Sequence, residues 1–432
     1  MPVQRDQGLV RALGPWSMAS SIFSMIVGAG IFATPAELAH ALGAWAPLAI
    51  LGCAVAVGAV GICCAEACSR IPTSGGIYGC VEAAYGPLPG FVCGMVLAVS
   101  DVLACGGVAA ALASVVATLA PVGWATALRV ATILGVLSII ALVNFRGVAR
   151  GGLFVTVLTG VKLLPLLVLV ALGAGAIHGA NLTLAPVGSP AIGHAVLLSL
   201  FTFMGMESAL VVSGEVARPN RTIPRALLLA IGAATGLYIA IQIVAQGVLG
   251  SALASSTTPL ADAMSRIHPS LRGLLLAGAA VSMLGWLGAD VLASPRILFA
   301  IARDGRLPGV LGRLSGKTHT PDIAILIYVA VGALLALTGT FGELAVLSAL
   351  ASAVLYVYIC LAAWRLQRRG VALAGTPLNF RWLKPAVGIG IGSMILMIAL
   401  ASGVEILGLA LLVGLAVVLY LIQGRGWLRS RA

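Results

Sequence analysis

Two apolar segments of the chain are interrupted by glycine at corresponding points. The first interruption is Gly28, Ala29 and Gly30, and the second is Gly205, which Glu207 follows closely. Backbone amides freed there cannot face lipid, because an unpaired amide in hydrocarbon costs several kcal/mol. The start of a half-helix, with free amides and a positive dipole end, can hold a carboxylate. The interruptions therefore predict a buried binding site between two broken helices, although a close helix–helix contact would also favour glycine in the first segment.

Large side chains next to the interruptions are candidates for the wall of this site. Ile26 precedes the first interruption, and Phe201 and Phe203 precede the second. The two phenylalanines are placed to gate or line a pocket, or simply to pack in the core. Trp286, in a later apolar segment, faces either the same cavity or a neighbouring helix. We predict that all four side chains contact the substrate.

Glu207 and Lys162 lie within apolar segments, where a charged group costs about 2.5–3.5 kcal/mol on insertion scales. Such residues are functional candidates, and we predict that both take part in coupling. A buried ammonium loses its proton more readily than an exposed one, so Lys162 is suited to replace a bound sodium ion and to titrate during transport. The alternatives are a structural Glu207, bonded to amides of an unwound helix, and a Lys162 whose head group reaches the inner surface.

Two aspartates, Asp101 and Asp290, also fall inside apolar segments. Either carboxylate could pair with Lys162 or with an amine of the substrate. Asp290 and Arg296 are six residues apart, a spacing that does not bring side chains together on a helix. We predict a substrate contact for Asp101 and assign no role to Asp290. The extra carboxylates favour a substrate with a cationic group.

The composition is that of an integral membrane protein. Apolar residues make up 60% of the 432 residues and charged residues 9%, against about 25% charged residues in soluble domains. A helix of about 20 apolar residues crosses the hydrocarbon core. The sequence predicts twelve such spans, at 16–41, 45–68, 90–118, 126–145, 152–175, 192–214, 224–250, 271–301, 322–339, 342–365, 385–402 and 404–423.

The net charge of +12 follows the topology rather than a nucleic-acid surface. If the N-terminus lies inside, twenty of the 25 basic residues fall on inner-face segments. That asymmetry is the positive-inside bias of membrane proteins. It predicts a multi-pass protein of the cell inner membrane with both termini in the cytoplasm. The basic face suits anionic lipid, and no nucleic-acid partner is expected.

No sequence pattern points to an enzyme or a cofactor. The first apolar segment is too long for a cleavable signal peptide and lacks a small-residue cleavage site. The eight cysteines lack metal-ligand spacing supported by histidines, so we predict reduced, structural thiols. The five histidines lie near span ends or in loops, and no nucleophile–base set is visible. We therefore predict no catalytic residue, metal site or cofactor, and the chain shows neither the repeated lining motif nor the charged ring of a channel.

The predicted domains are a transport core, 1–369, and a C-terminal addition, 370–432. Within the core, spans one to five (10–175) and spans six to ten (190–369) each begin with a broken helix. An odd number of spans per repeat inverts the second repeat relative to the first, which suits alternating access around a central site. The C-terminal addition contributes two further spans.

Short motifs occur in a fixed order along the chain. They are Gly28-Ala29-Gly30-Ile31-Phe32 with Pro35, the segments 70–78 and 85–91, Asn144-Phe145-Arg146-Gly147, Gly160-Val161-Lys162, the segment 203–207, Glu215 with Pro219, and the segments 223–225 and 296–308. As a set they resemble the amino acid–polyamine–organocation (APC) superfamily of secondary transporters. The resemblance implies an all-α membrane fold of twelve helices. In that fold a five-plus-five inverted repeat of the LeuT type, with helices one and six broken, is followed by two C-terminal helices.

The resemblance also implies roles for the predicted site residues. The segment from Gly28 to Gly30 binds the α-carboxylate of the substrate, and the α-amino group meets carbonyl groups of the two breaks. Phe201 and Phe203 line or cap the pocket. Ala29 departs from the pattern, since many members carry serine or threonine there, and only backbone donors remain for the carboxylate.

Lys162 stands where sodium-coupled relatives in this superfamily bind an ion, which implies sodium-independent transport, and Glu207 matches a glutamate that follows the second break in many members. The expected function is secondary active transport of an amino acid by alternating access, coupled to protons or to exchange, in a monomer or homodimer. A polyamine or cationic-amine antiporter and a sodium-coupled symporter are the alternatives among transporters. A channel is the alternative from another class.

Overall fold

The computed structural model is built from helices and the short connections between them. It describes residues 15–71, 76–118, 121, 123–145, 151–184, 189–210, 216, 219–315, 320–373 and 376–429. The helices are α1 (Pro15–Ile26), α2 (Gly30–Leu42), α3 (Ala46–Arg70), α4 (Gly76–Tyr85), α5 (Pro87–Ala117), α6 (Ala125–Phe145), α7 (Gly151–Gly173), α8 (Ser189–Phe203), α9 (Met206–Ala209), α10 (Pro219–Leu249), α11 (Pro259–Ile267), α12 (Arg272–Ala293), α13 (Pro295–Arg303), α14 (Asp322–Thr338), α15 (Phe341–Arg368), α16 (Leu383–Ala399) and α17 (Gly403–Arg429). Glu215 and the motif positions at 72–75 and 146–150 lie outside the described residues.

Most of the helices are apolar enough to lie in a bilayer. Seven helical stretches of the described chain have the length and hydropathy to cross it, namely Gly30–Arg70, Pro87–Ala117, Ala125–Phe145, Arg221–Ser255, Pro269–Arg303, Phe341–Arg368 and Gly403–Leu421. Four shorter apolar helices lie in α7, in α8 with α9, in α14 and in α16. A helix bonds its own backbone groups internally, as the hydrocarbon core requires. The chain is therefore a helical, multi-pass membrane protein.

Both sequence-predicted interruptions are present. α1 ends at Ile26 and α2 begins at Gly30, while α8 ends at Phe203 and α9 begins at Met206. The first and sixth predicted spans are thus each divided into two helices. The two divided spans contact each other, α2 against α8 and α1 against α9, so the four helix ends meet in the interior.

The eighth predicted span also departs from one continuous helix. α12 ends at Ala293, and α13 begins at Pro295. Proline has no amide hydrogen to donate to the preceding turn, so the helical ladder changes at Ser294, whose amide still bonds the Asp290 carbonyl at 2.8 Å. The interruption between α12 and α13 thus falls at Ser294, whose side chain contacts two buried carboxyl groups that are described below.

A lysine-bearing helix is held close to α12 by a glycine. A Cβ atom placed on Gly278 of α12 would lie 2.5 Å from Cγ of Pro165 in α7. Only a residue without a side chain allows that approach, as is common between helices in membranes. Because Pro165 is three residues beyond Lys162 in α7, this contact fixes the position of Lys162 along the helix axis relative to α12.

Arg70, at the end of α3, is a buried cation that anchors the connection between α15 and α16. Its guanidinium is 2.8 Å from the Glu66 carboxylate, and both side chains are at most 1% exposed. The same guanidinium donates to the Val371 carbonyl at 3.0 Å and to the Asn379 side chain. The Glu66 carboxylate in turn accepts from the Phe380 amide at 2.9 Å. Because these charges are paired and hydrogen-bonded, the connection is fixed onto α3.

The short helix α4 is tied to the connection that follows α13. Arg306 and Glu82 form an ion pair at 2.8 Å. The Tyr78 hydroxyl donates to Asp304 at 3.2 Å and accepts from Arg306 at 3.1 Å. Burial raises the pKa of Tyr78, so the phenol remains a donor across the physiological range. These contacts join two connecting segments that the sequence predicts to lie apart along the chain.

All eight cysteines are free thiols in the buried interior. The sulfur atoms of Cys68 and Cys80 are 3.9 Å apart, a distance of contact rather than of a covalent bond. The described residues contain no group of histidine, cysteine or carboxylate side chains that could hold a metal ion.

Candidate functional site

The two helix breaks face each other across one cavity, here called the central cavity. About 20 Å³ of it is accessible to the centre of a water molecule, which is roughly the room for one water. Met25, Met204, Ala104, Val108 and Ser208 contribute to its wall. Its wall also contains eight of the residues that the sequence predicts as substrate contacts, Ile26, Gly28, Ala29, Gly30, Asp101, Phe201, Gly205 and Trp286, together with Glu207.

The first break presents unpaired backbone amides. The amides of Ala29 and Ile31 have no hydrogen-bond acceptor among the described residues, and that of Phe32 bonds the Ala29 carbonyl at 3.0 Å. The first amides of a helix lack an intrahelical acceptor and stand at the positive end of its dipole. Ala29 and Gly30 line the central cavity, so this end of α2 offers main-chain donors to an anionic group.

Lys162 bonds the carbonyl groups that the end of α1 leaves free. Its ammonium donates to the carbonyls of Ser24 and Val27, both at 2.7 Å, and to the Ser24 hydroxyl at 2.9 Å. These three contacts use all three donors of an ammonium group. The side chain is 1% exposed and is not paired with Asp101, Asp290 or any other carboxylate in the part of the chain that the structure describes, so the pairing considered from the sequence is absent. The ammonium occupies the kind of oxygen-lined position that a small cation takes.

Two further side chains bond the same stretch of backbone. The Trp286 indole nitrogen donates to the Met25 carbonyl at 2.9 Å, and the Tyr238 hydroxyl donates to the Ile26 carbonyl at 2.9 Å. The end of α1 is therefore held by α7, α10 and α12 together. Trp286 lies over the first break and in the cavity wall. It therefore both faces the cavity and packs against a neighbouring helix, the two alternatives that the sequence left open.

The second break is fitted tightly against the first. Gly205 has φ of +110°, a region that side-chain-bearing residues rarely adopt. A Cβ atom there would lie 2.6 Å from the Met25 carbonyl oxygen. At a second contact between the broken helices, a Cβ atom on Gly30 would lie 3.1 Å from the Thr202 Cα atom. Glycine is thus required at both contacts between the broken helices.

Glu207 follows the second break and is buried, with 1% of its side chain exposed. The Tyr356 hydroxyl donates to its carboxyl group at 2.7 Å. Glu207 therefore connects the second break to α15. Both uses that the sequence allowed, coupling and structural support, are compatible with this contact.

Phe201 and Phe203 point to different places. Phe201 lines the central cavity, and its ring meets Phe341 edge-on with centroids 5.5 Å apart. Phe341 lines a second cavity together with Phe32, Glu37 and Thr258, and about 260 Å³ of that cavity is accessible to the centre of a water molecule. Phe203 is fully buried and packs against Tyr238 at 5.3 Å between centroids. Phe201 thus stands between two cavities, whereas Phe203 is not in the central cavity wall.

Several residues of the site have no sequence-based prediction. Tyr238 supports the first break, Tyr356 bonds Glu207, and Ser208 and Ser294 contact Asp101. Each is a hydroxyl in or beside an apolar helix. Isolated hydroxyls are common in membrane helices, so composition alone does not distinguish these four from the others.

Comparison with known proteins gives consistent matches. The sequence model of a family described as amino acid permease matches residues 13–425. The chain is similar to the serine/threonine exchanger SteT of Bacillus subtilis, with 28% identity over 432 residues, covering 95% of this chain and 96% of that protein. It is 32% identical over 319 residues to an uncharacterized transporter of Mycobacterium tuberculosis, covering 72% of this chain and 70% of that protein. It is also 26% identical over 339 residues to the methylthioribose transporter of Bacillus subtilis, covering 73% and 72%.

Proposed function

Because the chain belongs to the amino acid permease family, we propose that it is a secondary active transporter of amino acids that works by alternating access. The observation that carries the proposal is the central cavity, where two broken helices present main-chain groups to one small buried space. Binding sites of this kind lie near the bilayer midplane between repeats. The family and its transporter relatives exclude an enzyme.

The substrate binds with its carboxylate on the amides at the start of α2. The unpaired amides of Ala29 and Ile31 supply these donors, and the positive dipole end of α2 adds to the attraction. Asp101 stands in the same wall and takes the amino group. A zwitterion bridging these two positions lies between Phe201 and Trp286, whose rings close the cavity around it.

The topology we propose has twelve spans, with α1 to α7 and α8 to α15 as two inverted repeats and α16 and α17 as the addition. The basic residues then face the cytoplasm with both termini, and the second cavity opens to the outside. Phe201 and Phe341 separate that outer cavity from the substrate. The contacts of α4 with Arg306 lie on the inner face and hold that side of the transporter closed.

A ligand screen tests this function before the substrate is identified. Purified protein is heated in the presence of each amino acid and of common polyamines, because a ligand that binds only the folded state raises apparent stability. We expect stabilisation by one class of amino acids. The active compounds are then tested for saturable counterflow in proteoliposomes. A conductance without counterflow would indicate a channel, and the proposed function would be wrong.

Sodium independence follows from the position of Lys162. Its ammonium already bonds the oxygen atoms of Ser24 and Val27, which supports a site that needs no sodium ion. We expect uptake of the identified substrate to be unchanged when sodium is replaced by choline at constant ionic strength. Uptake that rises at least severalfold with sodium would contradict this and favour a sodium-coupled symporter.

Proton symport and exchange remain the two modes of coupling in this proposal. Lys162 and Glu207 are the buried ionisable groups next to the breaks, which suits a proton-coupled cycle. The similarity to an exchanger over nearly the whole chain supports exchange. Acceleration of efflux by substrate on the opposite side identifies exchange, whereas uptake driven by a pH gradient alone identifies symport.

A further inference from the structure

Ser294 lies between two buried aspartates. Its Oγ atom is 2.6 Å from Oδ2 of Asp101 and 2.9 Å from Oδ1 of Asp290. The exposed fractions of the side chains are 0% for Ser294, 5% for Asp101 and 1% for Asp290. No cation among the described residues is bonded to either carboxyl group. The bridge joins α5, which carries Asp101, to the bend between α12 and α13.

A hydroxyl group has one hydrogen to donate, and Ser294 has two carboxyl neighbours. If both aspartates were ionised, one of the two short contacts would join oxygen atoms that only accept. Such a contact is repulsive, and two unpaired anions in the interior would each carry a large desolvation cost. One aspartate must therefore carry a proton and donate it to Ser294. The pair then holds one negative charge.

The shorter of the two contacts favours Asp101 as the ionised aspartate. An O–H···O⁻ bond is typically about 2.5–2.7 Å, whereas neutral O–H···O bonds spread over about 2.5–3.0 Å with a mode near 2.7–2.8 Å. The contact to Asp101 falls in the first range, at 2.6 Å. Asp101 also accepts from the Ser208 hydroxyl at 3.3 Å on both oxygens. On Asp290, Oδ2 accepts from Tyr328 at 2.7 Å, which leaves Oδ1 to carry the hydrogen toward Ser294.

We propose that Asp290 is a positioning residue for Asp101: it stays protonated, donates to Ser294, and lets Ser294 donate to an ionised Asp101 that faces the central cavity. Asp101 lines that cavity, whereas Asp290 does not. The substrate therefore carries an ammonium group that meets the Asp101 carboxylate. This inference rests on the proposed function for the identity of the cavity as the substrate site.

The arrangement also gives the negative charge two positions. When the hydrogen of Ser294 moves to Asp101, the hydrogen of Asp290 moves to Ser294, and the charge passes to Asp290 with no net gain or loss of protons. The charge is then held next to Tyr328 and away from the cavity. The other titratable groups facing the pair are Cys105, which lies beside Asp290, and Glu207 across the cavity. A bound ammonium favours the charge on Asp101.

Asparagine distinguishes the two aspartates, because its amide has the shape of a protonated carboxyl group and can donate as that group does. We expect Asp290→Asn to bind substrate within about threefold of the unchanged protein, with a flatter dependence of affinity on pH. We expect Asp290→Val, which cannot donate, to lose at least about tenfold, because the Ser294 hydroxyl is then no longer held in the orientation that donates to Asp101 and is left with an unsatisfied buried acceptor. Asp101→Asn should lose at least as much as Asp290→Val. Ser402→Ala, a change of a hydroxyl remote from the cavity, serves as the control.

Each result of this set supports or contradicts the assignment. Retained binding in Asp101→Asn with loss in Asp290→Asn would place the charge on Asp290 and overturn it. Loss in both asparagine variants, or retention in both, would overturn it as well. An independent measurement is the deuterium-sensitive infrared band of a protonated carboxyl group in substrate-free protein. It should disappear in Asp290→Asn and persist in Asp101→Asn, and its persistence in Asp290→Asn would contradict the proposal even if no substrate were found.

Discussion

Lys162→Ala should abolish the pH dependence of uptake and reduce its rate to a few per cent, while the protein still inserts in the membrane. The ammonium makes three hydrogen bonds to Ser24 and Val27, and each bond to a charged group contributes about 1.5–3 kcal/mol. Without them the end of α1 loses its attachment to α7. The measurement is uptake into proteoliposomes over a range of pH.

Lys384→Ala is the matched control for this variant. Lys384 is an exposed lysine near the start of α16, and its removal should leave both the rate and the pH profile unchanged. If Lys162→Ala retained a pH profile like that of the unchanged protein, Lys162 would have no part in coupling. An inactive variant that also fails to insert would be replaced by Lys162→Met, which keeps most of the side-chain volume.

Gly205→Ala should eliminate detectable substrate binding and lower the thermal stability of the purified protein. At φ of +110° a side chain strains the backbone by about 1–3 kcal/mol. In addition, its Cβ atom would approach the Met25 carbonyl oxygen to 2.6 Å. The two breaks must then move apart, and the central cavity loses the geometry that holds the substrate. The measurement is the ligand-induced shift in melting temperature.

Gly236→Ala separates this steric effect from a general cost of replacing glycine. Gly236 lies within α10, and a Cβ atom there meets no atom within 4 Å. Alanine is favoured over glycine inside a helix by about 0.8–1.0 kcal/mol, so stability should be kept or raised. A Gly205→Ala protein that bound substrate normally would show that close contact of the breaks is not needed.

The helical membrane class and the two helix interruptions could be predicted, because the sequence patterns behind them have few physical explanations. A run of apolar residues has to be helical in a bilayer, so the helices and the positions of both interruptions could be predicted. Glycine at positions 28, 30 and 205 pointed to the central cavity, because freed backbone has to be buried somewhere. Phe201 and Asp101 were likewise predicted from their positions in the sequence to lie beside that cavity.

The partners within the site could not be predicted in the same way. Asp101 and Asp290 are far apart in sequence, and only the packing of α5 against α12 and α13 brings Asp101 to Ser294, which lies one turn after Asp290. Phe203 is two residues from Phe201 and was assigned to the same wall, but residues two apart on a helix point to different sides. The carbonyl groups at the end of α1 give no sequence signal at all, so Tyr238, which bonds the Ile26 carbonyl, was missed.

The location of the eight cysteines has a practical consequence for following the transport cycle. Because every native thiol is buried in the protein, a water-soluble maleimide should find little to modify in the unaltered chain. A single cysteine introduced beside Glu37 would then be the main target of the reagent. Its rate of modification would report when the second cavity, which Glu37 lines, is open to water. The natural background already suits such labelling, so the eight residues need not be replaced first.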